Sequence, residues 1–575
     1  MLRTILGLHD GHNAAAALLE KGRIVAAVQE ERLTRTKNQS GIPHRAIRDL
    51  FSMTGVTSSA ISAVALNGAY MTYDHFDRDP LLEHYRQSSG VVAKIKQPLK
   101  GTFVDDMYQK GKARQRSQRL AEIGFENGRV AAVDHHTAHA SAAYYGSGWQ
   151  GKVLILTCDG SGDRLSGTVS IGENGRIERI ASIADNDSIG RLYAMVTYYM
   201  GMMPLEHEYK VMGLAPYVGD PGKARKQARL FAELFEFDPQ NPLVWRRRKG
   251  VAPMYSAYDL VCKLLYRQRF DLIAAGLQQF TEDMLSQWVQ NCVRETGIRR
   301  VVCSGGVFMN VKANKEILTL PEVEELFVFP SCGDETNSIG AAYCVYAQEC
   351  LQANRPVDIE PLGPIYWGRG FDDSEAEIAL KEFKGESRFH YKYVQNIERL
   401  AAETIARGEV VARAKGQTEF GARALGNRSI LARADNMEAV RVINDMIKCR
   451  DFWMPFAPAV LAERADEYYI KPKPMAAPYM IIAFDSRLET RAKYPAGQHP
   501  YDHTVRPQEV TEKWNPDFYR LIKHYEEITG EGIILNTSFN LHGYPIVYNP
   551  AEAMDVLDRS GLKFLALGNW WVEKE

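Results

Sequence analysis

Residues 3–24 read RTILGLHDGHNAAAALLEKGRI, and residues 151–177 read GKVLILTCDGSGDRLSGTVSIGENGRI. Each stretch is an apolar run, a turn with Gly and Asp, a second apolar run, and a tight turn that leads into a third run. Apolar runs broken by Gly-containing turns are typical of antiparallel hairpins. The second turn has the same residues in both copies, in four matched pairs: Glu20 and Glu173, Gly22 and Gly175, Arg23 and Arg176, Ile24 and Ile177. The sequence therefore predicts a duplicated three-stranded meander.

Two meanders, each followed by mixed helix and strand, describe an actin-like core, as in sugar kinases and heat-shock ATPases. Such a core binds a nucleotide between its halves, and the first turn of each meander points at the phosphates. Here those turns are HDGHNA (9–14) and CDGSGD (158–163). Glycines let backbone N–H groups approach a phosphate, and Asp can hold its metal. The alternative is a pair of ordinary hairpins that match by chance.

Length and composition limit the class of protein. A chain of 575 residues is too long for a single core, so two or three domains are expected. The net charge of −1 provides no global field for nucleic acid or an anionic membrane. No apolar run approaches the roughly 18–20 residues of a membrane span, and Asp10 comes too early for a signal peptide. The eight cysteines form no CxxC pair, so a reducing cytoplasm is the expected location.

Three histidines lie close together in VDHHTAHASAAYYG (133–146). The part HTAHASAAYYG (136–146) is predicted to be an Ala-rich helix that ends at a glycine. His135 and His139 are four apart, and His136 and His139 are three apart, so either pair can share a helix face. Two imidazoles at that spacing can hold one transition metal, but a histidine pair on a helix is as often solvated or a helix cap.

Two aspartates lie where they could join such a site. Asp159 ends the predicted strand KVLILTCD (152–159), in the second phosphate-facing turn. Asp334 lies in FPSCGDETNSIGAAY (329–343), where a strand gives way to a helix of small residues. Two His and two carboxylates with open positions suit iron(II), manganese or zinc without selecting among them. Such a site can hold a nucleotide phosphate and act as a Lewis acid.

Seven motifs in one order point to a family. They are HNAAAALL (12–19), QEERLTRTK (29–37), DHHTAHA (134–140), CDGSGD (158–163), EYKVMGLAPY (208–217), SGGVFMNVKAN (304–314) and GDETNSIGAA (333–342). In these motifs the chain up to residue 352 resembles the nucleotide-binding half of the O-carbamoyltransferases related to the nodulation, cephamycin and tobramycin enzymes. That half is similar to the universal tRNA threonylcarbamoyl-transfer protein.

The resemblance implies roles for particular residues. The implied metal ligands are His135, His139, Asp159 and Asp334. His136 is not an implied ligand. Iron(II) is the metal that the resemblance favours, with manganese, zinc and magnesium as alternatives. The residues predicted to bind the nucleotide are Lys37, Gly160, Ser161, Lys210, Gly305, Gly306 and Asn310. His12 is the first candidate for the base or oxyanion stabiliser because imidazole titrates near neutral pH, and Glu208 is the second.

Polar clusters mark the second half of the chain, in segments 415–431, 446–458, 503–510 and 534–547. Guanidinium groups bind phosphate bidentately, and Ser and Thr hydroxyls complete the cage. The residues predicted to bind carbamoyl phosphate and ATP are Arg423, Arg428, Lys448, Arg450, Arg506, Asn536, Thr537, Ser538 and Asn540, with His503 near Arg506.

This half resembles the YrdC-like domain of the same carbamoyltransferases. The predicted fold class is mixed α/β, with a duplicated actin-like domain followed by a YrdC-like α/β domain. We expect the first domain, with the metal, nucleotide and acceptor site, over 1–352, a linker over 353–373, and the adenylate-forming domain over 374–575. Several relatives have an Arg before PFAP where this chain has Met454, so Lys448 or Arg450 is expected to compensate.

The resemblance implies an ATP-dependent O-carbamoyltransferase. Carbamoyl phosphate and ATP would form carbamoyl adenylate, and the carbamoyl group would pass to a hydroxyl of a small-molecule acceptor, a natural product such as an antibiotic or toxin, or a glycan. No nucleic-acid or membrane partner is expected, and a homodimer is allowed. One alternative is a tRNA threonylcarbamoyl-transfer protein, which the lack of a Lys/Arg-rich stripe disfavours. Another is an actin-like ATPase or sugar kinase without carbamoyl chemistry. An acceptor-specific insert is expected within 70–125 and 225–270.

Overall fold

The computed structural model describes residues 4–68, 116, 118–125, 129–448 and 451–575. The chain divides into two compact units. The amino-terminal unit comprises Met1–Glu30 and Asn38–Leu362, and the carboxy-terminal unit comprises Glu31–Lys37 and Gly363–Glu575. The division after Leu362 falls inside the predicted linker. The sequence did not predict that Glu31–Lys37 belongs to the carboxy-terminal unit, and we call this segment the excursion. Most of the insert expected at 70–125 lies outside the described residues.

The amino-terminal unit begins with a five-stranded sheet. Its strands are β1 Thr4–His9, β2 Ala15–Glu20, β3 Arg23–Gln29, β4 Ala63–Asn67 and β5 Arg129–Val133. Strands β1, β2 and β3 form the predicted antiparallel meander, β4 pairs parallel to β1, and β5 pairs parallel to β4. Strand β1 is buried along its whole length, as a near-continuous apolar run in the middle of a sheet requires.

A second five-stranded sheet repeats this arrangement. The next strands along the chain are β6 Val153–Gly162, β7 Leu165–Glu173, β8 Arg176–Ala184, a separate hairpin of β9 Phe235–Phe237 and β10 Trp245–Arg247, and then β11 Arg300–Ser304 and β12 Glu325–Val328. Strands β6, β7 and β8 form a meander, β11 pairs parallel to β6, and β12 pairs parallel to β11. The order β8-β7-β6-β11-β12 corresponds to β3-β2-β1-β4-β5. The predicted duplication with actin-like topology and the mixed α/β class are confirmed.

The tight turns of both meanders have the backbone that their sequences require. Lys21 and Gly22 have φ values of 50° and 87°, and Asn174 and Gly175 have values of 52° and 74°. Positive φ at both central residues is the mark of the type I′ turn, whose twist matches that of the flanking strands. Asn and Gly adopt this conformation with little strain, whereas lysine rarely does. The matched glycines are therefore a consequence of hairpin geometry.

Helices complete the amino-terminal unit. After α1 Glu31–Thr34, which lies in the excursion, they are α2 His44–Thr54, α3 His135–Ser147, α4 Ile189–Tyr199, α5 Glu208–Leu214, α6 Pro221–Ala232, α7 Tyr258–Leu265, α8 Phe270–Thr296, α9 Val311–Thr319 and α10 Asn337–Gln352. Helix α3 begins after Asp134, which accepts the N–H of Thr137 at 2.9 Å, and ends at Gly148 with φ 66°. In the described ranges, no helix is long and apolar enough to cross a membrane.

Close packing of α10 holds the centre of this unit together. A Cβ on Gly340 would lie 1.9 Å from the carbonyl oxygen of Ala138 on α3. A Cβ on Gly7 of β1 would lie 1.9 Å from the carbonyl oxygen of Ser338 on α10. Only glycine allows backbones to approach this closely. The two contacts draw the start of α10 towards α3 and β1, where the predicted metal ligands lie.

The carboxy-terminal unit is also α/β. Its strands are β13 Phe389–Tyr393, β14 Val411–Ala414, β15 Arg428–Arg433, β16 Ala457–Leu461, β17 Tyr469–Ile470, β18 Phe484–Ser486, β19 Thr504–Val505, β20 Gln508–Val510, β21 Ile533–Ser538, β22 Phe564–Leu567 and β23 Trp570–Lys574. Eight of them form a mixed sheet in the order β13-β23-β22-β14-β15-β21-β16-β20, and β17, β18 and β19 form a second sheet. The similarity to a YrdC-like domain stays a prediction.

Six helices accompany these sheets in the described part of the unit, and they are α11 Asp373–Glu382, α12 Ile397–Ala406, α13 Met437–Ile443, α14 Ala465–Tyr468, α15 Pro516–Thr529 and α16 Pro550–Arg559. A buried cluster joins α12 and α15 to the large sheet through Ile405, Leu521, Leu431, Ile534 and Trp571. Burial of such side chains is the main favourable term in the folding of this unit.

We expect Gly340→Ala to lower the free energy of unfolding by about 1–3 kcal/mol or more, because the new Cβ must displace the backbone of α3. The higher helix propensity of alanine offsets only about 1 kcal/mol of this loss. Urea titration measures the effect. Gly363→Ala is the control, since its Cβ would have no heavy atom within 4 Å. Equal midpoints for wild type and Gly340→Ala would contradict the packing argument.

Candidate metal centre

Four side chains that the sequence singled out lie together in the amino-terminal unit. One ligand atom from each of His135, His139, Asp159 and Asp334 lies within 4.8 Å of the others. Helix α3 contributes both histidines, which share a face because they are one turn apart. Strand β6 contributes Asp159, and the one-turn 3-10 helix Asp334–Thr336 contributes Asp334. We call these four residues the His/Asp cluster.

Each imidazole of the His/Asp cluster lies between the two carboxylates. The Nε2 atom of His135 is 3.3 Å from Asp159 Oδ2 and 3.6 Å from Asp334 Oδ1. The Nε2 atom of His139 is 3.1 Å and 3.4 Å from the same two oxygens. The His139 side chain is fully buried, and that of Asp334 is only 5% exposed. Buried charges of this kind are stable only when opposite charges compensate each other.

His136 faces away from the His/Asp cluster. Its Nδ1 atom lies 2.8 Å from the hydroxyl of Thr157, which is 2.6 Å from the hydroxyl of Thr168 on the next strand. Burial, together with the neighbouring His135 and His139, lowers the pKa of His136 to about 3, so its ring is neutral. This orientation agrees with the exclusion of His136 from the implied ligands.

Neighbouring polar groups orient the two cluster histidines. The Nδ1 atom of His139 lies 3.0 Å from the hydroxyl of Ser304 at the end of β11, which leaves Nε2 to face the carboxylates. The backbone N–H of His135 donates to Asp163 Oδ2 at 2.7 Å. Such outer contacts fix the ring orientation of a metal-binding histidine. Sequence analysis did not identify Ser304 or Asp163, because neither role is visible without the fold.

Glycines of two predicted phosphate-binding turns pack around the His/Asp cluster. A Cβ on Gly162 would lie 2.1 Å from the ring of His135. Gly305 has φ 107°, and its Cβ would lie 2.3 Å from the carbonyl oxygen of Cys158. A Cβ on Gly306 would lie 3.1 Å from Asp159 Oδ1. Gly162 and Gly305 are therefore required for packing, while the contact of Gly305 and Gly306 with a nucleotide stays a prediction.

The electrostatics of the His/Asp cluster favour charge pairs. Burial acts to lower the pKa of His135, but the carboxylates of Asp334 and Asp159 outweigh it and raise that pKa to about 9. Burial acts to raise the pKa of Asp159, but hydrogen bonds from His135 and His139 hold it well below its usual value. Without a metal, imidazolium protons therefore occupy the positions that a cation would take.

The donor set suits a divalent metal. Two imidazole nitrogens and two carboxylate oxygens match the preferences of iron(II), manganese and zinc. Two buried carboxamide oxygens beside them, Asn67 Oδ1 and Asn337 Oδ1, have no hydrogen-bond partner among the described residues. The Nδ2 of Asn67 lies 3.5 Å from His135 Nδ1, and that of Asn337 lies 3.0 Å from His139 Nε2. The His/Asp cluster could thus hold a metal with further polar groups close by.

His12, the first candidate base, lies next to the His/Asp cluster. Its Nδ1 atom is 3.4 Å from Asp334 Oδ2, and its side chain is 24% exposed. His9 donates from Nε2 to the carbonyl oxygen of His12 at 2.9 Å and accepts at Nδ1 from Asn67 at 2.8 Å. Burial lowers the pKa of His9 to about 4, so its ring is neutral. Sequence analysis missed His9, although its place at the end of β1, three residues before His12, was a usable signal.

The first turn contains a buried ion pair. Asp10 accepts two hydrogen bonds of 2.6 Å from the guanidinium of Arg116. Arg116 also donates to the carbonyl oxygen of Gly68 at 2.7 Å and to that of Asn67. Bidentate pairs of this kind fix geometry as well as charge. Asp10 therefore holds the HDGHNA turn against β4.

Glu208, the second candidate base, begins α5 and is held by the N–H of Leu205 at 2.7 Å. Burial raises the pKa of Glu208 to about 7. Within the described ranges, no hydrogen bond or ion pair joins it to the His/Asp cluster.

The other predicted nucleotide-binding residues are dispersed. The carbonyl of Gly160 accepts the hydroxyl of Ser188 at 2.7 Å, and Ser161 is half-buried. Asn310 caps α9 and forms a reciprocal amide pair with Gln278 at 2.9 Å. Lys210 is buried on α5, and Lys37 lies in the segment that belongs to the carboxy-terminal unit.

In the carboxy-terminal unit, the turn around Arg423 is built on a buried carboxylate. Glu419 Oε1 accepts the N–H groups of Leu425, Asn427 and Arg428 at 2.7, 3.0 and 3.1 Å. Arg423 lies within this turn and is half-buried. A carboxylate that accepts three backbone N–H groups fixes the path of a tight loop.

Arg428 contacts the backbone of its own unit. Its guanidinium donates to the carbonyl oxygens of Gly416 and Asn427, each at 3.0 Å. The side chain is fully buried, and burial lowers its pKa to about 10. The predicted phosphate contact of Arg428 stays a prediction, and the visible contacts position the turn.

The NTSFN motif ends β21 and enters a loop. Asn536 donates to Gln508 Oε1 at 2.8 Å, and Ser538 donates to Asn540 Oδ1 at 2.7 Å. Thr537 is buried on β21. Arg506 is half-buried between β19 and β20, as is His503 before β19. The side chain of Lys448 and the whole of Arg450 lie outside the described residues.

Sequence comparisons cover both units. The chain matches the family model described as Carbamoyltransferase N-terminus over residues 4–343 and the one described as Carbamoyltransferase C-terminus over residues 402–574. It is 32% identical over 582 aligned residues to nodulation protein NolNO of Sinorhizobium fredii, which covers 99% of this chain and 79% of that protein. It is 32% identical over 445 residues to nodulation protein NolO of Bradyrhizobium diazoefficiens, which covers 77% of this chain and 79% of that protein.

A solved structure of full-length HypF in the phosphate- and nucleotide-bound form aligns with 60% of this chain and 55% of that chain, at 14% identity and a TM-score of 0.32. A TM-score of this size does not establish a common fold.

We expect His139→Gln to lose most of the divalent metal that the wild-type protein retains, because it removes an Nε2 atom that faces both carboxylates. His136→Gln is the matched control, since it changes the same residue type on the same helix outside the His/Asp cluster. Metal content of the purified variants, measured by mass spectrometry after reconstitution with iron(II), manganese or zinc, reports the result. Equal loss in both variants would contradict the assignment.

Metal uptake at pH 7 is expected to release protons. The metal needs a deprotonated Nε2, whereas the pKa of His135 in the metal-free protein is raised to about 9, so the ring is protonated at pH 7. Apparent affinity should therefore fall as the pH is lowered. Titration calorimetry in two buffers of different ionisation enthalpy counts the protons, and binding without proton release would show that the imidazoles are already neutral in the metal-free protein.

Proposed function

This chain belongs to the carbamoyltransferase family and is therefore a transferase enzyme, and we propose that it moves a carbamoyl group from carbamoyl phosphate, through carbamoyl adenylate, to a hydroxyl of a small-molecule acceptor. The observation that carries the proposal is the joint match of both halves to the two family models, together with the His/Asp cluster in the first half. Neither a sugar kinase nor a simple ATPase would need the second half.

The carboxy-terminal unit would form the adenylate. Carbamoyl phosphate and water would yield carbamate and inorganic phosphate. A carbamate oxygen would then attack the α-phosphate of ATP, and pyrophosphate would leave. Arg423 and Arg506 would neutralise phosphate charge as it shifts, because guanidinium groups match phosphate oxygens in pairs. The Glu419 carboxylate supports this role, since it fixes the turn that carries Arg423.

The amino-terminal unit would perform the transfer. The acceptor hydroxyl would attack the carbamoyl carbon, and AMP would leave with the bond electrons. His12 is suited to take the hydroxyl proton, because it is partly exposed and lies 3.4 Å from Asp334, whose carboxylate stabilises the imidazolium that forms. His9 supports the position of His12 through the hydrogen bond to its carbonyl oxygen.

His135, His139, Asp159 and Asp334 would hold the metal, with iron(II) as the first candidate and manganese, zinc and magnesium as alternatives. When bound, such a cation supplies Lewis-acid stabilisation of phosphate charge. Mixed anhydrides hydrolyse in water, so the adenylate is expected to pass on without release. The acceptor would be a natural product or a glycan, and two relatives of this chain are nodulation proteins.

We expect the purified full chain to release pyrophosphate from ATP only when carbamoyl phosphate is present, without any acceptor. Arg423→Ala should lower this rate by about 100-fold or more, as the loss of one aligned transition-state donor does. His135→Ala should leave the rate unchanged and abolish carbamoyl transfer, because it belongs to the other unit. A coupled pyrophosphate assay measures the first step.

Arg441→Ala is the matched control for Arg423→Ala, since Arg441 is an exposed cation of the same unit that pairs with Glu438. Pyrophosphate release that is equal without carbamoyl phosphate would refute the proposal. So would its absence with both substrates and restored metal.

A further inference from the structure

The excursion Glu31–Lys37 is held in a strained conformation within the carboxy-terminal unit. Helix α1 ends when the N–H of Arg35 donates to the carbonyl oxygen of Glu31 at 3.0 Å. Arg35 itself has φ 60°. A left-handed backbone at a residue other than glycine costs about 1–2 kcal/mol, so the surroundings must hold it there.

Arg35 helps to stabilise this conformation through its contacts with a loop of the carboxy-terminal unit. Its Nη1 and Nη2 donate to the carbonyl oxygens of Ile546 and Pro545 at 2.8 and 2.9 Å. Its Nη1 also lies 2.9 Å from Glu552 Oε2 near the start of α16. Glu552 Oε2 accepts the N–H of Tyr548 at 2.8 Å. One guanidinium thus connects the loop before α16 to the helix itself.

Arg32 contacts a second loop of the same unit. It is 2% exposed, and its Nη2 donates to the carbonyl oxygen of Gly421. Gly421 follows Glu419 and lies two residues before Arg423. Burying a guanidinium is costly unless it is compensated, so this contact is a specific one.

The two loops that Arg32 and Arg35 contact carry some of the predicted phosphate-binding residues. The first holds Arg423 in the turn around Glu419. The second begins after Ser538, the last residue of β21, and contains Asn540; the N–H of Val547 closes it by donating to the carbonyl oxygen of Phe539 at 2.9 Å. The excursion therefore contacts both loops through backbone carbonyls, which fix loop path without using the side chains that would meet substrate.

We propose that Arg32 and Arg35 are positioning residues of the adenylate-forming site in the carboxy-terminal unit. The inference rests on the proposed function, because it assigns that site to the two loops that Arg32 and Arg35 contact. Residues of the motif QEERLTRTK thereby support the formation of carbamoyl adenylate. Lys37, at the end of the motif, is a candidate for the same site. A lysine cannot replace Arg35, since only the planar fork reaches two carbonyls and a carboxylate together.

The test uses the full-length Arg35→Lys variant and measures carbamoyl-phosphate-dependent pyrophosphate release. We expect kcat/KM for carbamoyl phosphate to fall by about 10- to 100-fold, with kcat also reduced, because small displacements of binding groups have effects of this size. Metal content should equal that of wild type. Hydrogen–deuterium exchange at the amides of Val547 and Tyr548 should be faster, since both depend on the closed loop.

Arg48→Lys is the matched control, an exposed arginine on α2 in the amino-terminal unit, and it should leave all three measurements unchanged. Glu552→Gln should reproduce a weaker form of the Arg35→Lys defect, because it removes the charge that Arg35 faces. An Arg35→Lys variant with wild-type kcat and KM would overturn the inference, even if its melting temperature fell, because that pattern indicates a structural role alone.

Failure of the proposed function has a different signature. A wild-type protein that releases no pyrophosphate with both substrates and metal refutes carbamoyl adenylate formation, whatever Arg35 does. In that case the exchange data alone test whether Arg35 holds the loop before α16. Unchanged exchange at Val547 would show that it does not, and faster exchange would show that Arg35 positions the loop without a role in adenylate formation.

Discussion

The mutual neutralisation of two buried imidazoles and two carboxylates, of which Asp334 is buried and Asp159 half-buried, is the constraint on which the amino-terminal unit depends. His135 and His139 could not stay charged in this interior without Asp159 and Asp334, and neither carboxylate could stay ionised without a cation. A divalent metal satisfies the same constraint with a smaller, fixed centre. The glycines that surround the cluster and the close approach of α10 follow from it, because each lets backbone reach within contact of these side chains.

The carboxy-terminal unit uses charge in another way. Glu419 and Arg428 are as buried as the cluster residues, but their partners are backbone N–H and carbonyl groups. In these contacts the charged side chains stabilise the path of a loop. In the proposed function, Arg423 lies at the turn that Glu419 fixes and is the cation that would bind substrate. The excursion Glu31–Lys37 adds two more guanidinium groups to the same kind of support.

Much of the fold was predictable from local pattern. The repeated apolar runs and the EKGRI and ENGRI turns predicted both meanders, since hairpin geometry demands glycine at one turn position. The small-residue helix after Asp134 was equally plain. The pairing of β4 with β1 and of β11 with β6 was not predicted, because it joins strands that are far apart in the chain. The sequence did not predict that Glu31–Lys37 belongs to the carboxy-terminal unit. The residues before and after this segment belong to the amino-terminal unit, and no local property of the sequence marks its boundaries.

The sequence by itself determined the apolar strands, the left-handed turns, the one-turn spacing of His135 and His139, and the chemical types available for a site, because these depend on a few neighbouring residues. Tertiary structure alone decided that His136 turns to Thr157, that His139 turns to Ser304, and that Arg35 contacts the loop before α16. Each of those outcomes joins residues far apart in the chain. Contacts of that kind follow from how sheets and helices pack, which local pattern does not encode.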